Sequence, residues 1–155
     1  MFYTMRNVWP LFLAIALLMI GNGLQGSLLG LRAKLEGFDI GQTGIVMSSY
    51  YGGFLMSSFV TIGLIKRVGH IRVFAAFASL ASTTVLMHAL MPFPWVWLFL
   101  RFVTGFSLAG LYVVAESWLN HASTNQTRGS VLSLYMVIIY GCMALGQLIL
   151  IFSDP

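Results

Sequence analysis

Residues 97–118 read WLFLRFVTGFSLAGLYVVAESW. From Trp97 to Trp118 is about 32 Å of helix at about 1.5 Å per residue, the thickness of one hydrocarbon core. Between the two tryptophans only Arg101 and Glu116 are charged. An apolar run of that length with an indole at each end predicts a transmembrane helix whose ends lie in the two aromatic belts of a bilayer.

Outward from this segment, charges and turn residues punctuate the chain into five apolar stretches, approximately 8–31, 40–65, 72–91, 94–119 and 129–152. Each has the ~20 residues that a spanning helix needs. Trp9 opens the first stretch, and Trp95 joins Trp97 at the start of the fourth. Composition agrees: of 155 residues, 59% are hydrophobic and 8% are charged, and mean hydropathy is +0.90. A soluble domain carries about 25% charged residues, so this chain has too little polar surface for a water-soluble bundle. Lipid offers no hydrogen bonds to an open backbone, and no alternating pattern of about ten residues suggests a barrel. The expected fold is an all-α membrane protein of about five transmembrane helices.

The net charge of +4 is a topology signal rather than a nucleic-acid footprint, and no nucleic-acid partner is expected. Arg6, Lys66, Arg67, Arg72 and Arg128 fall on one side of the five spans, and Arg32 and Lys34, offset by Glu36 and Asp39, on the other. The positive-inside rule then places the N-terminus in the cytoplasm and Asp154 and Pro155 outside. Arg6 followed by an apolar run could suggest a secretory signal, but the run continues to Leu31 and no convincing small-residue cleavage site follows. Cys142 is the only cysteine and lies mid-span, which leaves neither a disulfide framework nor a Cys-based metal site. The loops are short, so function must reside within the helices.

Catalysis is not expected. His70, His88 and His121 fall in three different segments, and Glu116 alone among the acids lies inside a span. Intramembrane metalloproteases need ligands about one helical turn apart, and aspartyl types need a pair of buried acids. No nucleotide-binding loop is present, and neither a cofactor nor a metal is expected.

Polarity is instead arranged along helix faces. At about 100° per residue, Arg101, Gly105, Ala109, Tyr112 and Glu116 occupy a stripe roughly 80° wide. An arginine in hydrocarbon costs at least ~2.5–3.5 kcal/mol, so this face should point into the bundle or a wet cavity, unless Arg101 snorkels to the near interface. On the first span Asn22, Gly26 and Gly30 recur every four residues, with Gln25 beside them, and on the fifth Ser133, Tyr140 and Gln147 share one face. The second span is dense in small and hydroxylated residues, Ser48 to Gly53 and then Ser57 and Ser58. Gly26, Gly30, Gly52 and Gly53 read as close-packing positions. The third span is nearly uniform in apolarity, with a near-interfacial His88, and reads as a peripheral support helix facing lipid.

The loop Gly63-Leu-Ile-Lys-Arg-Val-Gly69-His-Ile-Arg72 resembles a divergent form of the loop between the second and third helices of the major facilitator superfamily. The fourth span, with Arg101 followed by Gly105, is similar to that superfamily's fourth-helix pattern, and Arg128-Gly129 opens the fifth span as in many members. The set Val114-Ala-Glu116-Ser-Trp, Arg128-Gly129 and Gly146-Gln147 most resembles the YcaD-like bacterial subgroup. Two features depart from the pattern. Lys66 stands where the loop's acid is expected, so the acid-centred gate cannot be carried over intact. The fifth span has Gly141 and Gly146 but lacks the glycine–proline pattern of drug–proton antiporters.

The resemblance implies alternating access by two six-helix halves around a midplane site, with helices one, two, four and five at the cavity and helix three outside. On that basis the chain is an N-terminal fragment, with the sixth helix and the C-terminal half absent. It would act in a bacterial inner membrane on a small solute, with a coupling ion as an open question. Arg101 would be a charge partner for an anionic group, and Asn22, Gln25, Tyr51, Tyr112, Tyr140 and Gln147 would line the cavity. Lys66, Arg67, Gly69, Arg72, Glu116 and Arg128 would form the cytoplasmic gate. The chain alone would need its missing half or self-association to work. The alternative is a non-transporting membrane assembly or accessory subunit, which would have a packed, dry interior.

Overall fold

The computed structural model describes residues 2–152, with side chains from residue 8 onward. The side chain of Arg6, and Asp154 and Pro155, lie outside that description. Five helices follow one another: α1 (Phe2–Leu35), α2 (Ile40–Val68), α3 (His70–Leu90), α4 (Pro94–Ala122) and α5 (Arg128–Phe152). Each is long and apolar enough to cross a membrane, and among the described residues there is no strand. The fold is the all-helical membrane architecture expected from the sequence.

The helices outrun their apolar stretches because their ends carry charge beyond the hydrocarbon. Arg32 and Lys34 ride on the end of α1, Lys66 and Arg67 on the last turn of α2, and Arg72 on the first turn of α3. Cations in the last turn of α2 also meet the negative end of its dipole. The turns follow local chemistry. Gly37 takes a φ of 78°, and the Phe38 N–H donates back to the Ala33 carbonyl at 2.9 Å, closing α1. Asp39 then opens α2 with a capping box. Its carboxylate accepts from the Gly41 N–H at 3.0 Å, and the Gln42 side chain accepts from the Asp39 N–H at 3.1 Å. Pro94 sits at the first position of α4, where its missing N–H has no helical partner to lose.

The chain forms two compact units. The first comprises α1 up to Arg32, the end of α4 from Glu116, and α5; the second runs from Ala33 to Ala115.

In the second unit α4 packs directly on the backbone of α2. A β-carbon at Gly53 would collide with the Phe102 carbonyl, and one at Gly105 with the Tyr50 carbonyl. Ser49 Oγ lies 2.9 Å from the Leu98 carbonyl across the same contact. On its other side α4 meets α3, where Thr104 Oγ1 donates to Thr84 Oγ1 at 2.9 Å and the Phe77 ring fills the space above Gly110. In the first unit the backbones of α1 and α5 touch in the same way, Gly23 against Met143 and Gly146 against Ile20 and Leu24.

Three expectations need correction. Gly26 and Gly30 are not close-packing positions, since a β-carbon at either meets nothing within 4 Å; Gly23, one turn away, is. Gly52 makes only ordinary contact with the Phe102 ring, at 3.7 Å, whereas Gly53 is the true crossing point. Trp97 is not a belt residue: it is fully buried, edge-on to Phe38 and His88. Nor is α3 merely a lipid-facing support. Leu80, Val85, Leu86 and Leu90 are exposed, but Thr84 and His88 are buried and form a polar line toward α4.

Candidate functional site

The face of α2 that meets α4 carries Val46, Tyr50, Gly53, Ser57 and Thr61, spaced by three or four residues as one helical stripe demands. Gly53 lets α4 approach, and the buried Ser57 and Thr61 hydroxyls bond to each other at 3.0 Å. Tyr50 is the large residue on this stripe. It lies opposite the α4 stripe, of which Arg101 is 8% exposed and Gly105 and Ala109 are buried.

Gly105 brings α4 close enough for the Arg101 guanidinium to lie over the Tyr50 ring, with Cζ 4.7 Å from the ring centroid. Such a cation–π contact is worth about 2 kcal/mol or more when desolvated. Around Tyr50 the aromatic surface continues: Tyr51 is edge-on at 5.4 Å, Phe54 tilted at 6.2 Å, and Tyr112 tilted against Phe54 at 6.2 Å. Arg101 is therefore a buried cation on an aromatic floor.

Its electrostatic balance is incomplete. Arg101 Nε is buried and, among the described residues, has no hydrogen-bond partner. Between residues 40 and 115 there is no aspartate or glutamate at all. Glu116 shares the stripe but stands about 22 Å farther along the helix axis, at about 1.5 Å per residue. An aromatic face compensates part of a buried charge, but a planar guanidinium is built to bind an anion with paired N–H donors. This site can therefore hold a carboxylate or similar group against a flat apolar surface.

The other sequence candidates divide between the two units. Tyr51 and Tyr112 join the Arg101 cluster, with Tyr51 68% exposed and Tyr112 half-buried. In the first unit Gln25 is buried with its Nε2 unpartnered among the described residues, Asn22 is half-buried, and Tyr140 and Gln147 are exposed. The Gly23 and Gly146 contacts between α1 and α5 adjoin Asn22 and Gln147 in sequence. Lys66, Arg67 and Arg72 are exposed around Gly69 at the α2–α3 turn, where Gly69 has a φ of 87°. Glu116 and Arg128 belong to the first unit; Glu116 is half-buried, its carbonyl accepting from Asn120 Nδ2 at 2.9 Å, and Arg128 is exposed. Sequence reasoning missed Tyr50 and Phe54 as site residues. The 46–50–53–57–61 stripe was the signal available for them.

The chain spans 38% of the length of the curated relatives it matches. It is 36% identical over 93% of its own length to YcaD of Escherichia coli O45:K1 (strain S88 / ExPEC), an uncharacterized MFS-type transporter. It is 32% identical over 94% of its length to an uncharacterized MFS-type transporter of Enterobacter sp. (strain 638). No solved structure matches. The family model of the Major Facilitator Superfamily matches residues 11–152, which takes in all five helices, the α2–α3 turn and the arginine-bearing face of α4. With an all-helical membrane fold around a buried fourth-helix arginine, and a family match over nearly its whole length, the chain belongs to the Major Facilitator Superfamily.

Proposed function

We propose that the chain is part of a secondary transporter that moves a small anionic solute across a bacterial inner membrane by alternating access. The observation that carries this reading is Arg101: a buried guanidinium over the Tyr50 ring, with its Nε unpartnered among the described residues and no carboxylate between residues 40 and 115. In a dry accessory bundle such a donor would cost about 1–3 kcal/mol with nothing gained, whereas in a transporter the solute supplies the missing acceptor. Tyr51 and Tyr112 extend the aromatic floor for the solute's body. Asn22, Gln25, Tyr140 and Gln147 are the candidates for solute contact within the first unit. Lys66, Arg67, Gly69, Arg72, Glu116 and Arg128 are the candidates for a cytoplasmic gate, in which Lys66 replaces an acid with a cation. Membership of a transporter family, with relatives described as MFS-type transporters, supports transport over catalysis.

The test is uptake, screened across sugars, amino acids, organic anions and cationic dyes, by a transporter of the relatives' full length that carries this chain. Organic anions should be the class taken up. Arg101→Ala should abolish that uptake while membrane insertion is retained, and Arg101→Lys should restore little, because a point charge cannot replace a two-pronged planar donor. Normal transport by the Ala variant would make Arg101 a structural residue.

A further inference from the structure

One turn from Arg101 the same face of α4 carries Trp97, and a second polar cluster begins there. His88 of α3 is 2% exposed and sits edge-on to the fully buried Trp97, with ring centroids 5.5 Å apart. His88 Nδ1 lies 2.6 Å from the Thr84 carbonyl. A carbonyl can only accept, so Nδ1 carries the proton and the neutral ring presents a bare lone pair at Nε2. That Nε2 is buried and has no partner among the described residues, and neither has the buried Nε1–H of Trp97. A fixed tautomer with an unused basic nitrogen is not what a packing histidine needs. It is what a proton acceptor needs.

The position suits that role. His88 is two residues from the end of α3, and Trp97 is three residues into α4, so the pair lies close to one membrane surface. Phe38, beside the cap of α2, covers Trp97 edge-on at 5.0 Å. Arg101, one turn from Trp97 on the same face of α4, is the charged group nearest this pair along that helix. Tyr50 of α2, beneath that guanidinium, is the next titratable group; Trp97, Phe38 and the Thr84–Thr104 hydroxyl pair bear no charge.

We infer that His88 is the proton-binding site of this transporter and that its occupancy is coupled to the charge state at Arg101. The proton is taken from water by the Nε2 lone pair, giving an imidazolium, and is returned to water on release; no other bond changes. Two cations roughly 10 Å apart in a poorly screened interior repel. An anion on Arg101 cancels that repulsion and tightens proton binding at His88. By linkage, a proton on His88 tightens anion binding at Arg101 by the same factor. The two sites together make a proton–anion symporter. The symport step rests on the proposed solute role of Arg101, whereas the coupling between the two side chains does not.

The test uses the chain in phosphatidylcholine nanodiscs, which offer no anionic headgroup, with Trp9, Trp95 and Trp118 replaced by Phe so that Trp97 alone emits. An imidazolium quenches a neighbouring indole, so emission should fall as His88 takes up its proton and should be flat with pH in His88→Gln. Arg101→Gln should increase the proton affinity of His88 about tenfold, from Coulomb repulsion across roughly 10 Å at an effective dielectric of about 20. Arg101→Lys should leave it within about twofold. A curve unchanged by Arg101→Gln overturns the coupling. Should that variant not fold, the ring ¹⁵N shifts of His88 in the unsubstituted chain decide instead, and a ring that is never doubly protonated between pH 4 and 9 overturns the proposal. A shifted curve together with normal uptake in Arg101→Ala would retire the solute reading and keep the coupling. An unshifted curve with uptake abolished would do the reverse.

Discussion

Arg101 and Tyr50 show how a single contact makes a charge tolerable inside an apolar bundle. The insertion cost of a central arginine, at least ~2.5–3.5 kcal/mol, is close to what a desolvated cation–π contact of about 2 kcal/mol offsets. Tyr50→Phe keeps the ring face and should leave stability unchanged within about 0.5 kcal/mol, the usual range of a substitution that removes no packing. Tyr50→Leu removes the face and should cost about 2 kcal/mol, read as an earlier midpoint of denaturation by SDS in mixed micelles. Equal midpoints for the two variants would mean that the guanidinium gains nothing from the ring. Periodicity alone identified the Arg101 stripe, because that stripe is a property of one helix. Of the two adjacent tyrosines the sequence reading named Tyr51 for the cavity lining; the structure leaves it 68% exposed and sets the Arg101 guanidinium over Tyr50. Neighbouring residues on a helix point about 100° apart, and which of them meets a second helix depends on a crossing that neither helix encodes by itself.

Between helices, the decisive residues are the glycines that let backbones meet. Gly52 and Gly53 are adjacent and chemically identical, yet a β-carbon at Gly52 makes ordinary contact with a ring while one at Gly53 strikes the Phe102 carbonyl. Gly53→Ala should therefore destabilise by about 1–3 kcal/mol, the usual range for overpacking. Gly52→Ala should be neutral or slightly stabilising, through the better helix propensity of alanine. Denaturation midpoints of the two variants check this, and the order of the two is the result that matters. Existence and number of the helices were legible because twenty apolar residues in a row have few other destinations. The role of α3 was not. Its hydropathy is that of a lipid-facing helix, and Leu80, Val85, Leu86 and Leu90 do face outward. Thr84 and His88, however, occupy the narrow side that meets α4, and a few hydroxyls and one imidazole in a run of apolar residues barely move an average.

At the scale of the whole chain, the basic residues predict its orientation. Lys66, Arg67, Arg72 and Arg128 flank the α2–α3 and α4–α5 turns, while Arg32 and Lys34 are at the end of α1. With Cys142 replaced, a cysteine at Asn125 should stay unlabelled by an impermeant thiol reagent added outside, whereas one at Leu35 should react. Leu35 is chosen over Asp39 because Asp39 caps α2 and losing a cap costs about 1 kcal/mol. Labelling of both positions from outside would refute the five-span orientation. The Tyr50 contact has a further consequence for how such a chain is made. Synthesis runs from the N-terminus, so the ribosome delivers α2 and α3 before α4 leaves the exit tunnel. Tyr50 is thus already made when Arg101 emerges, and the cation need not wait alone in lipid for its ring. If the order of the two helices were exchanged in the gene, the same contacts would be available at the end, but the translocon would first have to release an unaccompanied arginine into the bilayer.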